Sequence, residues 1–451
     1  MKVKFVSVVA ISCYLLVNSF NANASKSDYD KILTNNIDAD GPGSAVIVSK
    51  NGEVLYKGAR GLANIEHNIP LTTDSIFRLG SITKQFTGAA IMILHEQGKL
   101  SISDDIHKYV PDFPTEGNKI TIEHLLTHTS GIANYTEDEH VWNNLIPTET
   151  TLDEMLLEFK KHPMKLKTGE KMRYSNTGYV LLGKIIEVAS GQTYADFVEE
   201  HIFKKLGMKN SHYGGTQIIK NRASGYSKAG DEIANSGPIN MMWPHAAGSL
   251  LSTVEDLNIW YTSLRSGKLI SKESYQKMIA PYTLNDGSQS DYGYGLGKLK
   301  VSHYDAIGHG GGIHGFVTHA FYVPEKKLYV AVLNNKDFGN PRTLALRLAA
   351  EALEIELPAF KPAKIDEAIL SPLLGTYKID DKSVRKLLVE DGKYYTQRDD
   401  HDKWQVFPMS NNSFYYAGSL SYFIIEEDKE GQKVMNFYSD LSTTPSKATK
   451  Q

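Results

Sequence analysis

Cysteine is almost absent from this 451-residue chain, which contains only Cys13. One cysteine cannot close a disulfide within the chain, so the folded protein must be stabilised by its hydrophobic core. Long apolar runs are also missing, because no stretch approaches the roughly 18 apolar residues of a membrane-spanning helix. We therefore expect no membrane insertion.

Charge of one sign is not in excess either. The chain has 49 Lys and Arg against 52 Asp and Glu, a formal net charge of −3, and it has no basic runs. Nucleic acid and anionic membrane surfaces attract proteins through clusters of positive charge. This balance argues against both as partners.

The amino-terminal residues have the pattern of an export signal. Lys2 and Lys4 form a basic start, Phe5 to Val17 form an apolar stretch, and Ala22-Asn23-Ala24 is a small-x-small cleavage site. This pattern predicts a signal peptide over residues 1–24 that is removed after Ala24 and takes the only cysteine with it. We expect the mature protein in the periplasm or outside the cell.

The remaining chain predicts an α+β fold with a small all-β domain after it. Ser44–Ser49 and Val54–Lys57 form a hairpin signal around Asn51-Gly52, helical patterns dominate from Lys84 to Leu264, and strand patterns return from Gly315. We expect an antiparallel sheet flanked by helices, plus a helical subdomain, over residues 25–356. A Pro- and Lys-containing linker over 357–367 then leads to a β-rich domain over 368–451.

Ser81-Ile82-Thr83-Lys84 is the strongest candidate for a catalytic motif. A serine and a lysine three residues apart share one face of a helix, so a lysine with a lowered pKa can deprotonate the hydroxyl. The apolar run Phe86–Leu94 follows and predicts a buried helix. Two other Ser-x-x-Lys matches begin at Ser274 and Ser383, but their charged neighbours predict a solvated surface.

Tyr174-Ser175-Asn176 precedes a helical pattern that ends at Gly191. A phenol beside a lysine ammonium ionises more easily and shuttles protons, and an asparagine amide can hold a substrate carbonyl. The alternative is structural: Tyr174 packs at a helix start and Ser175 or Asn176 caps the helix.

His309-Gly310-Gly311-Gly312 runs into the strand pattern that begins at Gly315. Glycines at this position let a ligand or another backbone approach closely and leave N–H groups free. The alternative is a glycine-rich turn before an edge strand.

Together with Leu125–Gly131 and Ala247–Leu257, these motifs give the chain a resemblance to the serine β-lactamase-like family over residues 29–355. That family includes class C β-lactamases, D-alanyl-D-alanine carboxypeptidases, D-aminopeptidases and esterases. The resemblance implies an acyl-enzyme hydrolase that acts on a small-molecule or peptide substrate without cofactor or metal. The β-rich tail resembles the lipocalin-like domain appended to many members. Oligomeric state stays open.

The resemblance also implies roles for the motif residues. Ser81 would be the acylated nucleophile, Lys84 its base, and Tyr174 the proton shuttle that also activates the deacylating water. Asn176, His309 and Gly311 would bind the substrate, and the N–H groups of Ser81 and Gly312 would form the oxyanion hole. Pocket shape would depend on the loops 134–150 and 210–240.

The third motif departs from the β-lactamase pattern, which has Lys-Thr-Gly or Lys-Ser-Gly where this chain has His309-Gly310-Gly311. The literal Lys167-Thr168-Gly169 precedes Tyr174 in a predicted loop, so we reject it. Histidine is mostly neutral at pH 7 and is a weaker partner than lysine for a substrate carboxylate. We therefore expect esters, amides or D-amino peptides to be better substrates than β-lactams or D-Ala-D-Ala.

Three other functions can be compared with this one. An α/β-hydrolase would need a G-x-S-x-G elbow, which the chain lacks. A metal site would use His124 with His128, or His309 with His314 and His319, but neither set has an evident acidic ligand. A non-hydrolytic binder or sensor on the same fold has no need for Ser81, Lys84, Tyr174 and Asn176 together.

Overall fold

The Asn51-Gly52 hairpin begins the main sheet of the computed structural model, which describes residues 25–451. The signal peptide predicted over residues 1–24 lies outside this range. Strands β1 (Ser44–Lys50) and β2 (Glu53–Arg60) pair antiparallel. The turn residues Asn51 and Gly52 have φ of 56° and 88°, the backbone conformation that a two-residue hairpin favours. The predicted hairpin is confirmed.

Six antiparallel strands make up the sheet. The later four are β3 (Gly297–Val301), β4 (Tyr304–Ile313), β5 (Phe316–Val323) and β6 (Leu328–Asn334). The spatial order is β3-β4-β5-β6-β1-β2, so the first and last parts of the chain's main sheet meet where β1 pairs with β6. This is the predicted antiparallel arrangement.

Both faces of the central strands are covered, which explains their unbroken apolar sequences. On β1, Ala45 and Ile47 face one hydrophobic core, while Val46 and Val48 face a second core on the other side. The larger core contains the helix Thr83–Glu96, in which every residue from Thr83 to Leu94 is buried. The buried helix predicted from the apolar run is confirmed.

The helices mostly lie between β2 and β3 in the sequence. The α-helices are Lys26–Asn36, Thr83–Glu96, Ile122–Leu126, Leu152–Phe159, Asn176–Ser190, Tyr194–Val198, His245–Gly248, Val254–Ser266, Lys272–Ile279, Pro341–Leu353 and Glu367–Leu370. Short 3₁₀ turns occur at Gly80–Ile82, Ile106–Lys108, Tyr135–Glu137 and Ser371–Leu373, and π-helical turns at Val141–Leu145 and Glu199–Lys204. In the part of the chain that the structure covers, no helix combines the length and apolarity that a membrane crossing requires.

Small sheets join the helical region to the main sheet. One has three strands, in which Leu250–Ser252 lies between Phe77–Arg78 and His212–Tyr213. The others are two-stranded: Leu62–Asn64 with Ile69–Pro70, Tyr226–Ala229 with Glu232–Asn235, and Tyr282–Thr283 with Gln289–Ser290.

The carboxyl-terminal region is a closed barrel of eight strands, in agreement with the predicted all-β domain. Its strands are Gly375–Lys378, Val384–Glu390, Lys393–Arg398, Trp404–Pro408, Ser413–Tyr416, Tyr422–Glu427, Lys433–Tyr438 and Ser446–Lys450. The barrel packs against the α+β domain. Leu420 and Leu441 enter the second hydrophobic core, and Arg342 Nε lies 2.7 Å from Asp440 Oδ2.

Candidate active site

Ser81 and Lys84 lie where a 3₁₀ turn, Gly80–Ile82, leads into the helix Thr83–Glu96. Lys84 Nζ is 3.0 Å from Ser81 Oγ. The rest of the lysine head group contacts two carbonyl oxygens, Asn176 Oδ1 and Ala247 O, each at 2.8 Å. The lysine side chain is fully buried.

These three contacts fit either protonation state of the amine, and burial favours the neutral one. A neutral lysine has two N–H donors and one lone pair, whereas the ammonium form has three donors and no acceptor. In the neutral form the carbonyls of Asn176 and Ala247, which can only accept, take both N–H groups, and the lone pair then faces the Ser81 hydroxyl. Burial lowers the pKa of Lys84 well below its usual value, because the charged form loses its hydration.

Tyr174 lies over the same amine, with Lys84 Nζ 4.8 Å from its ring centroid. Burial raises the pKa of the Tyr174 phenol, and the nearby Ser81 hydroxyl opposes this effect only in part. The expectation that a lysine ammonium eases ionisation of this phenol was therefore wrong. The lysine is itself desolvated, and burial dominates for both groups.

His128 fixes the position of Tyr174, a function that the sequence did not suggest. The N–H of Arg173 donates to the His128 carbonyl at 2.8 Å, and the N–H of Ser175 donates to His128 Nδ1 at 3.1 Å. Both neighbours of Tyr174 are therefore tied to one histidine, whose ring lies 4.2 Å from the Tyr174 ring. Burial, aided by Lys84, lowers the pKa of His128 well below its usual value.

Asn176 begins the helix Asn176–Ser190, and Ser175 is its N-cap, with its hydroxyl accepting from the Gly178 N–H. The capping role considered for this segment thus belongs to Ser175. The Asn176 side chain directs Oδ1 to Lys84, and its Nδ2 makes only a long contact of 3.3 Å with Thr136 Oγ1. That amide nitrogen retains a donor for a ligand.

The three glycines after His309 belong to strand β4 itself, and the turn that follows is His314-Gly315. Ile313 pairs with Phe316 across this two-residue turn, so Gly312 and Val317 form the next, non-hydrogen-bonded pair. The Val317 N–H accordingly donates to Lys336 on its other side. By the same alternation, the Gly312 N–H points away from β5.

Close packing brings Gly312 to the serine. Gly80 has φ of +54°, and a Cβ on it would lie 2.8 Å from Gly312 N. A Cβ on Gly311 would lie 1.9 Å from the carbonyl oxygen of Leu79. The serine turn and β4 therefore meet backbone to backbone, and Gly311 and Gly80 both need to be glycine. This contact places two backbone segments, each with a candidate oxyanion donor, side by side.

His309 is directed into an aromatic cluster. Its Nε2 lies 2.8 Å from the Tyr292 hydroxyl, and its ring centroid is 6.2 Å from that of Tyr174. Burial and the adjacent Lys84 lower the pKa of His309 to about 4. The imidazole is therefore neutral over the physiological pH range, more firmly than an ordinary histidine would be.

A cleft of about 220 Å³ opens in front of Ser81 and Gly312. Trp142 and His314 are stacked in its wall, with ring centroids 5.1 Å apart. Both loops predicted to shape the pocket contribute, one through Trp142 and the other through Ile239.

The competing motifs lie elsewhere. The expectation of a solvated surface was wrong for Ser274, which is 5% exposed, but its hydroxyl donates to Glu96 and not to Lys277. In the loop Lys167–Gly169, Thr168 Oγ1 donates to the carbonyl of Ser130 at 3.3 Å. This loop supports the segment that carries His128.

Comparisons with known proteins agree with this arrangement. Residues 30–354 match the family model described as Beta-lactamase. Penicillin-binding protein 4* of Bacillus subtilis (strain 168) is 30% identical over 400 residues, which cover 82% of this chain and 87% of that protein. D-aminopeptidase of Gluconobacter oxydans (strain 621H) is 27% identical over 75% of this chain and 63% of its own length.

A solved structure extends the similarity to the barrel. The octameric penicillin-binding protein homologue from Pyrococcus abyssi has a TM-score of 0.66 and 28% identity, over 94% of this chain and 98% of that one. The family match covers most of the chain, and the first relative is similar along most of its own length. The chain belongs to the β-lactamase family of serine hydrolases.

Proposed function

We propose that this protein hydrolyses esters, amides or D-amino-acid-containing peptides through an acyl-enzyme on Ser81. The observation that carries the proposal is the hydrogen bonding of Lys84. Burial favours the neutral amine, and because two carbonyls accept its N–H groups, the lone pair of that amine faces the serine hydroxyl at 3.0 Å. A fully buried amine in this environment serves as a general base at neutral pH.

Acylation follows from this geometry. Lys84 takes the hydroxyl proton as Ser81 Oγ attacks the substrate carbonyl, and the N–H groups of Ser81 and Gly312 stabilise the developing oxyanion. Tyr174, whose raised pKa keeps it protonated, passes a proton toward the leaving group and recovers one from Lys84. In deacylation the same relay runs in reverse and activates water.

Asn176 is the proposed anchor for the substrate amide. Its Oδ1 is held by Lys84, which fixes the rotamer and directs Nδ2 toward the cleft. The Nδ2 group can then donate to a substrate carbonyl next to the scissile bond. Asn176 would thus couple substrate position to the orientation of the base.

His309 guides the choice of substrate class. A lysine at this strand position would offer a fixed positive charge, whereas His309 is neutral and already contacts the Tyr292 hydroxyl. We therefore place esters and D-amino amides ahead of β-lactams and D-Ala-D-Ala peptides, which carry a carboxylate. The similarity to a D-aminopeptidase supports the D-amino preference. The charge pattern of the first residues supports export as the cellular setting.

A panel of four substrates tests the proposal: p-nitrophenyl butyrate, D-alanine p-nitroanilide with its L-enantiomer as control, nitrocefin, and a D-Ala-D-Ala peptide. We expect kcat/KM to be highest for the ester or the D-anilide and lower for the last two. Nitrocefin cleaved faster than the ester would favour a β-lactamase. A protein that neither turns over any of them nor forms a fluorophosphonate adduct at Ser81 would be a binder, and the hydrolase proposal would fall.

A further inference from the structure

A second cavity lies between the mouth of the barrel and the α+β domain, and it shares no lining residue with the cleft at Ser81. It has a volume of about 840 Å³, within the range of small-molecule pockets. Arg385, Thr396, Tyr416 and Phe437 line it from the barrel side. Successive residues of each strand point alternately into and out of the barrel. These side chains point inward, as does that of the buried core residue Leu387.

The cavity wall concentrates positive charge. Arg385 and Arg398 face each other directly across two neighbouring strands, an arrangement in which like charges repel. Lys336, which follows strand β6, adds a third cation from the opposite wall. Arg398 Nε lies 3.7 Å from Asp399 Oδ2, whereas within residues 25–451 neither Arg385 nor Lys336 forms an ion pair. The wall also contains a carboxylate in Asp402.

Arg385 is held in place by uncharged groups. Its guanidinium carbon lies 3.9 Å from the ring centroid of Phe437, and Nη1 is 3.5 Å from the Tyr416 hydroxyl. Burial lowers the pKa of both Arg385 and Lys336. Half-buried cations without a partner are costly to the fold unless a ligand compensates them.

Apolar and aromatic side chains also line the cavity, beside polar ones such as Asn334 and Thr343. Trp404 lines the cavity although 67% of its surface is exposed, and Leu344 of the α+β domain faces it from the other side. An indole left this open at a cavity mouth is available for stacking on a ligand. Charge and apolar surface therefore occur together in one pocket.

From this combination we infer that the cavity is a second binding site, which takes a small carboxylate with an apolar body. The carboxylate pairs with the guanidinium groups of Arg385 and Arg398, and the apolar body packs against Trp404 and Leu344. The inference does not depend on the proposed hydrolase activity, because none of these residues lies in the catalytic cleft.

Calorimetric titration with 4-phenylbutyrate and with the neutral 4-phenylbutyramide tests this site in the full-length protein. We expect the acid to bind at least about tenfold more tightly than the amide, as a charge-assisted contact requires. Trp404 fluorescence should change on binding. Trp404→Phe should abolish that signal while the heat of binding remains.

Arg385→Gln should lower the affinity for the acid by roughly tenfold or more and leave the amide unaffected. Lys386→Gln is the matched control, because this neighbour faces away from the barrel interior and loses the same charge. If Arg385→Gln fails to fold, as judged by circular dichroism, Arg398→Gln replaces it with the same expectation, because both guanidinium groups are proposed to pair with the carboxylate. Equal binding of acid and amide, equal effects of the Arg385 and Lys386 variants, or no heat with 4-phenylbutyrate would each overturn the inference.

Discussion

Replacing Lys84 by methionine tests the central step, because it removes the amine and keeps nearly the same side-chain length and volume. The variant loses the lone pair that faces Ser81 Oγ at 3.0 Å. General-base catalysis typically contributes about 10²–10⁴-fold to a rate, so we expect acylation to slow by that factor. Substrate affinity should change less than the acylation rate, although Asn176 Oδ1 also loses its contact with Lys84.

The same substitution has a calculable effect on stability. The carbonyls of Asn176 and Ala247 each lose a donor at 2.8 Å, at about 1–3 kcal/mol for each buried acceptor left unpaired. A second effect, which depends on pH, opposes this loss and favours the stability of the Lys84→Met variant. The pKa of Lys84 is lowered on folding, so the unfolded chain binds this proton first as pH falls below about 10.5. Wild type should therefore lose stability relative to Lys84→Met as pH falls from about 10.5 toward the lowered pKa, and stop losing it below that pKa.

Two measurements follow from this reasoning. Mass spectrometry with a slowly turned-over aryl ester gives the acylation rate, and melting curves at pH 7 and pH 9.5 give the stability difference. Lys277→Met is the matched control, because it alters the Ser274 match while leaving Lys84 intact. If folded Lys84→Met is acylated at a rate within tenfold of wild type, Lys84 is not the general base, since general-base catalysis contributes more than that. If wild type and Lys84→Met differ in stability by the same amount at both pH values, the pKa of Lys84 is not lowered on folding.

Three further variants probe the other parts of the site, and a fourth, Ser274→Ala, is a control. Ser81→Ala should abolish turnover and acyl-enzyme formation, whereas Ser274→Ala should keep full activity at a small stability cost; activity of Ser81→Ala within about tenfold of wild type would contradict the mechanism. His309→Lys should raise kcat/KM for nitrocefin relative to that for p-nitrophenyl butyrate. In wild type the ratio of these two kcat/KM values should stay constant from pH 5.5 to 8, because the pKa of His309 is about 4. His128→Ala should lower kcat by up to about 100-fold with little change in KM, because a misplacement of about 1 Å can have that effect; unchanged kcat would show that Tyr174 does not need this support.

Local motifs were predictable from the sequence where neighbouring residues determine the structure. Ser81 and Lys84 are one helical turn apart, so their contact needs only the helix that the apolar run predicts. The Asn51-Gly52 hairpin and the helix end at Gly191 follow from backbone preferences at single positions, and both occur as expected. These features depend little on the rest of the fold.

The chemistry of the site depended on distant residues and was harder to predict. The orientation of the Lys84 amine requires the carbonyl of Ala247, which is 163 positions away, and the side-chain carbonyl of Asn176, which is 92 positions away. No pattern near the lysine reports either contact. The low ionisability of Tyr174 has the same origin, because burial is a property of the assembled core and not of the motif.

Strands β3 and β4 were not predicted. In β4 the run of glycines stands where strands usually have β-branched and aromatic residues. Those same glycines permit the contact on which the site depends. Gly312 pairs with Val317, Val317 with Asn334, and Asn334 with Ser44, so one row of the sheet runs from the serine to the barrel cavity. The row is only four strands wide, and neighbouring strands lie about 4.8 Å apart. The catalytic cleft and the proposed carboxylate cavity therefore share one element, the main sheet. Glycine is tolerated in β4 because the serine turn packs into the space that side chains on β4 would otherwise fill.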